Sequence, residues 1–189
     1  GGMPEMDLEY VLKQKGYDVG RDTTNKEINI RTDIQFDVMA GAFSSGNGDF
    51  VALFEPSATK MEEIKEGYIV ASLGQHCGNI PYTCFSSLKN YMNDNGDKIK
   101  SFVNGLKKGV DYVINNDSKD IAKKISKYFP STEIETISKV VERYKSIDAY
   151  SETLYLSEES FNKLQDIIEM AGELKTRAPY EKLVTTKYL

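Results

Sequence analysis

The spacing of apolar side chains changes near residue 80, and that change limits the folds open to this chain. Up to about residue 80, short apolar runs alternate with helical segments and glycines are frequent; from about Leu88 onward the sequence reads as a succession of helices. Strand, helix and strand in alternation followed by helices alone indicate an α/β protein with a helix-rich second part. A domain change is expected near residue 80.

In the first part, Pro4 stands where a helix begins, and Leu8, Val11 and Leu12 recur at helical spacing until Gly16 ends the run. Glu27 to Ile34 alternates apolar and polar side chains, with a break at Thr32, as a half-buried strand does. Phe36, Met39, Ala40 and Phe43 share one face of a following helix, which Gly46 and Gly48 stop. Phe50–Phe54 and Tyr68–Leu73 are apolar runs too short for helices and suit strands buried on both faces. This order predicts parallel pairing with right-handed crossovers.

In the second part, Ile99, Phe102, Val103, Leu106, Val110, Val113 and Ile114 line one stripe of a long helix. Ile121, Ala122, Ile125, Tyr128 and Phe129 line the next, with Asp117 as its cap. Beyond Pro130, Thr132 and Glu135 have capping-box spacing ahead of a third stripe through Ile134, Ile137, Val140, Val141 and Tyr144. A fourth helix runs from about Ser157 to Ala171 and stops at Gly172. These stripes read as core.

Composition narrows the function. The 189 residues carry a net charge of -5 and 40% hydrophobic side chains, enough to bury a core. Residues 1–80 are acidic and the remainder is nearly neutral, so neither part favours a nucleic-acid backbone. No run of about 18 apolar residues occurs, and the N-terminus lacks a secretory pattern, so any targeting segment is expected upstream or removed. His76 is the lone histidine, and Cys77 and Cys84 match no zinc spacing. A bridge between the two cysteines is open. Neither a metal nor a cofactor is expected.

The opening Gly1-Gly2-Met3-Pro4-Glu5-Met6, the stretch IQFDVMAGAFSSGNGDFVALFEP from Ile34 to Pro56, Gly78-Asn79-Ile80-Pro81-Tyr82, and the terminal AGELKTRAPYEKLV together resemble one class of periplasmic-type binding proteins. That class handles nitrate, sulfonates, taurine and thiamine precursors. The resemblance implies a type II clamshell of which this chain is a C-terminal portion. Residues 1–80 would form most of the second α/β lobe, and the hinge would return near Ile80 to Tyr82. Residues 81–189 would carry that return and the helical end of the first lobe. It implies an extracytoplasmic, often lipid-anchored protein that captures a small molecule and delivers it to an ABC permease. Self-association of so truncated a chain is also expected, because a sheet edge and helix faces would be left uncovered.

The candidate site follows from local chemistry within that frame. Gly1, Gly2 and Met3 approach a helix N-terminus, where free amides favour an anion, with a plain tight turn as the other reading. Phe54 and Glu55 end the Phe50–Phe54 run, and ligands bind outside the carboxyl ends of parallel strands. Glu55 could accept hydrogen bonds from an amino or ammonium group, or else cap the next helix; Phe54 offers an apolar face. Gln35 and Phe36 end another expected strand, and Tyr82 on the hinge could stack on ligand. One branch of the class is an enzyme of pyrimidine-precursor synthesis with a cysteine-rich cluster, which this sequence lacks. His76 and Cys77 are neighbours whose side chains point apart in an extended segment, so a cysteine hydrolase is disfavoured. An interaction module built on the helical part is the remaining alternative.

Overall fold

Pro4 pre-sets the first turn of helix α1 (Met3–Gln14), whose N-cap is Gly2 at φ 94. The computed structural model describes residues 2–189. Two units divide the chain. The first takes the residues up to Gly78 together with Asp166–Lys175, and the second takes Asn79–Gln165 with Thr176–Leu189.

In the first unit, strands β1 (Val19–Arg21) and β2 (Ile28–Ile30) pair in parallel, with Val19 opposite Ile28 and Arg21 opposite Ile30. Val19 and Ile30 are buried. A parallel pair ordinarily needs a crossover of a dozen or more residues. Here residues 22–27 suffice, because Asp22 adopts φ 50 and its N–H still reaches the Ile30 carbonyl at 2.9 Å. The link folds tightly over Gly20, where a Cβ would meet the Thr23 side chain and lie 2.7 Å from Lys26 Cγ.

The strand expected over Glu27–Ile34 is therefore limited to Ile28–Ile30. Thr32, the break in its alternation, donates its N–H to Asp22 Oδ1 at 2.8 Å instead of to a ladder. The helix expected over 36–43 forms as a 3-10 turn at Phe36–Val38 running into α2 (Met39–Ser44), and Gly46 at φ 84 closes it. Helices α3 (Ser57–Glu63) and α4 (Leu73–Cys77) follow.

Two expectations fail. Phe50–Phe54 and Tyr68–Leu73 are not strands: neither run enters a ladder, and Leu73 starts α4. Nor are they buried on two faces, since Phe50 is 79% and Tyr68 82% exposed. Strand propensity describes fitness for a pleated surface, but a strand exists only through a hydrogen-bonded neighbour, which the short β1–β2 sheet does not extend to supply.

Every regular element beyond residue 86 is helical: α5 (Lys89–Asp94), α6 (Gly96–Asn115), α7 (Ser118–Ile125), α8 (Ile134–Ser146), α9 (Glu158–Met170) and α10 (Tyr180–Leu183), with a 3-10 turn at Ser126–Tyr128. Asp117 caps α7 by accepting the Asp120 N–H at 2.9 Å. The core of the second unit is Ile121 and Ala122 of α7 packed on Ile137 and Val141 of α8. Lys145 donates to the Val113 and Asn116 carbonyls at 2.9 and 2.7 Å, which satisfies the end of α6.

The stripe of α6 is less buried than its periodicity suggests. No residue of α6 is fully buried, and Phe102 stays 47% exposed against Phe85. The capping box expected at Thr132 is also absent. Glu133 is the N-cap of α8, with no side-chain bond, because Thr132 donates its N–H to the Phe129 carbonyl and so belongs to the preceding turn.

Candidate functional site

The residues singled out in the sequence fall into three places. Gly1 lies outside the described residues. Gly2 and Met3 sit at the start of α1, where the Gly2 carbonyl accepts both the Glu5 and the Met6 N–H at 3.1 Å. Pro4 has no N–H, so few amides remain for an anion there. Tyr82 belongs to the second unit and is 54% exposed.

Phe36 and Phe54 meet. Their ring centroids are 4.9 Å apart at an interplanar angle of 49°, within the range of favourable aromatic pairs. Local structure explains the meeting. Gln35 is extended at the head of the 3-10 turn and accepts the Val38 N–H at 3.1 Å, which starts the turn at Phe36. Phe54 ends the extended run into α3, its carbonyl accepting the Ala58 N–H at 3.2 Å. Both rings keep a large open surface, at 48% and 39% exposure.

Glu55 follows, and its Oε2 accepts the N–H of the buried Thr59 at 3.0 Å. The carboxylate thus caps the first turn of α3, the structural role weighed for it from the sequence. The structure gathers Gln35, Phe36, Phe54 and Glu55 around an exposed aromatic pair, on a loop and a helix start and not at strand ends.

A second polar constellation was not legible in the sequence. Arg21 Nε stands 3.4 Å from Glu5 Oε1 and 3.2 Å from Glu9 Oε2, and its N–H groups also reach the Ala171 carbonyl and Glu173. Those two Nε distances reflect ion pairing more than directed bonds, since neither oxygen has a hydrogen-bond partner. Burial pushes the Glu5 carboxyl up against the lowering influence of Arg21. Like charges four apart on a helix repel, so the Glu5–Glu9 spacing was the available hint that a cation stands between them. Between those two in sequence, Asp7 is buried with Oδ1 unpartnered, and desolvation raises its carboxyl from 3.8 to about 6.

Two cavities of about 350 and 370 Å³ lie in the second unit. Exposed charged side chains such as Lys107, Asp111, Lys100 and Lys187 line them, and neither includes any of the aromatic-pair residues. Among the described residues no group of three His, Cys, Asp or Glu could hold a metal ion, and Cys77 and Cys84 are both free thiols. Among the same residues no helix is long and apolar enough to cross a membrane.

No family model matches the chain, and no solved structure does. The chain spans about half the length of the curated relative it matches. Over 184 residues, 97% of this chain and 54% of the relative, it is 38% identical to a Bacillus subtilis (strain 168) protein named "Putative binding protein YtlA", and this similarity supports a binding-protein family.

Proposed function

We propose that this chain is the ligand-capturing portion of an extracytoplasmic solute-binding protein that serves an ABC importer. The observation that carries the reading is the Phe36–Phe54 pair, two half-exposed rings in contact, with Glu55 next in sequence to one of them. Pockets for small molecules combine apolar and aromatic surface with a few placed polar groups, and this arrangement has both. The similarity to a binding protein supports capture in place of turnover.

The resemblance read from the sequence supports the finer part of the proposal: a clamshell of the nitrate, sulfonate, taurine and thiamine-precursor class, with a membrane permease as partner. Within that range, an aromatic shelf with a carboxylate next in sequence fits ligands bearing amino or ammonium groups better than simple anions. The rings offer stacking surface, and Glu55 offers acceptors.

A thermal-shift screen of the 189-residue chain against metabolites of these types tests the reading. A ligand present at about 100 times its dissociation constant stabilises by about 2.7 kcal/mol, which raises the melting temperature by about 5–10 °C at this size. The hit should be recovered unchanged after release, and Phe54→Ala should remove the shift. Chemical conversion of the hit, or a shift equal in wild type and Phe54→Ala, would refute capture at this pair.

A further inference from the structure

We propose that Asn47 is a site of spontaneous covalent modification, at which the Gly48 backbone nitrogen closes a succinimide ring on the Asn47 side chain; this stands apart from the capture reading. Three Asn-Gly pairs occur in the chain: Asn47-Gly48, Asn95-Gly96 and Asn104-Gly105. Glycine after asparagine favours ring closure, because no Cβ screens the attacking nitrogen and the backbone turns freely. The fold leaves one of these pairs open and restrains the other two.

The chemistry needs only water. The Gly48 nitrogen gives up its proton and attacks Asn47 Cγ; the N–Cγ bond forms, the Cγ–Nδ2 bond breaks, and the amide nitrogen leaves as ammonia with that proton. Water then opens the ring. Attack at Cγ yields aspartate, and attack at the Asn47 backbone carbonyl carbon yields isoaspartate, in which the main chain runs through the former side chain. Either product replaces a neutral amide by a carboxyl group.

At Asn47 the geometry permits this. Helix α2 ends at Ser44, and Gly46 and Gly48 on either side of Asn47 have φ of 84 and 92. Asn47 and Gly48 are exposed and lie outside any helix or strand. Among the described residues the Gly48 N–H has no hydrogen-bond acceptor, so no bond need break before the nitrogen attacks. The Asn47 N–H and Nδ2 both donate to the Ala42 carbonyl, at 3.0 and 3.2 Å. That restraint falls on the leaving nitrogen, not on the nucleophile, and two donors share its one acceptor.

The other pairs are held. Asn104 and Gly105 lie inside α6, where the Gly105 N–H is committed to the helical ladder and the Asn104 backbone is fixed by it. Asn95 is the N-cap of α6, and both ends of its amide are tied: Nδ2 donates to the Tyr91 carbonyl at 3.1 Å, and Oδ1 accepts from Lys98 at 3.0 Å. Tyr188 covers Gly96, its hydroxyl 3.4 Å from where a Cβ would stand.

Ageing the whole folded chain in mildly alkaline buffer, followed by peptide mapping with mass spectrometry, reads all three pairs in one sample. Asn47 should convert at least about tenfold faster than Asn104, since a local opening of α6 that costs only about 1.4 kcal/mol already gives that ratio. Asn95 should also lag behind Asn47. Isoelectric focusing should show a more acidic form that grows with time and is largely absent from Asn47→Ser. In guanidinium chloride, where the fold is gone, the three pairs should convert at similar rates.

Asn95 or Asn104 converting as fast as Asn47 in the folded chain would overturn the proposal. So would an Asn47 that converts in denaturant but stays intact in the folded chain. An Asn47 that keeps the same lead in denaturant also overturns it, because the preference would then come from neighbouring residues and not from the fold.

Discussion

Arg21 Nε lies 3.2 Å from Glu9 Oε2, and this contact ties the first strand of the sheet to the first helix of the chain. The Glu9 side chain is only 6% exposed, so its charge is tolerated because Arg21 and Lys13 stand beside it. The same guanidinium donates to the Ala171 carbonyl, which holds the Asp166–Lys175 segment within the first unit.

Arg21→Ala should therefore destabilise the protein by about 2–4 kcal/mol, since it leaves buried carboxylates short of a cation and frees a helix-end carbonyl. Arg21→Lys should recover only part of this, because a single ammonium cannot reach several acceptors as a guanidinium fork does. Urea unfolding of the three proteins gives the comparison. Hydrogen exchange should show earlier opening of residues 166–175 in Arg21→Ala.

Asp7 gives a pH dependence with a definite sign. Its carboxyl titrates at about 6 when folded against 3.8 ordinarily, so the folded state prefers the protonated form. The stabilising effect of that proton is complete below 3.8 and is lost as pH rises through about 6. The shift has an upper limit of about 3 kcal/mol, which solvent screening reduces to on the order of 1–2 kcal/mol. Asp7→Asn should raise the melting temperature by about 2–6 °C at pH 8 and leave it nearly unchanged at pH 4. An equal difference at both values would contradict the assignment.

Two caps with similar sequence signals should behave differently. Asp117→Ala removes the acceptor of the Asp120 N–H and should cost about 1 kcal/mol. Thr132→Ala removes a side chain with no cap at α8 and should stay within about 0.5 kcal/mol of wild type. Chemical denaturation of each variant decides between them.

Self-association is expected from the exposed apolar runs. Phe50, Tyr68 and Val70 in the first unit are each more than 70% exposed, as are Phe85 and Leu88 in the second. Unladdered apolar segments of this kind are templates for pairing with another chain. Sedimentation velocity should show concentration-dependent association, and Val70→Lys should reduce it. A monomer at all concentrations for the unmodified chain would rule this out.

By itself, the sequence determined the longer helices of the second part and much of their local punctuation. The stripes of α6, α7, α8 and α9, the Asp117 cap, and the glycines at 16, 46 and 172 with φ of 88, 84 and 77 all depend on residues within a turn or two of each other. Only the tertiary structure decided the rest. Phe50–Phe54 reads as a buried strand but has no ladder, because a strand's partner lies elsewhere in the chain and its absence leaves no local mark. The Phe36–Phe54 contact spans 18 positions and the Arg21–Ala171 bond spans 150, separations at which side-chain spacing carries no information. Glu55 shows the boundary within one residue: its type announced an acceptor, but its first task, the Thr59 N–H, was set by where α3 begins.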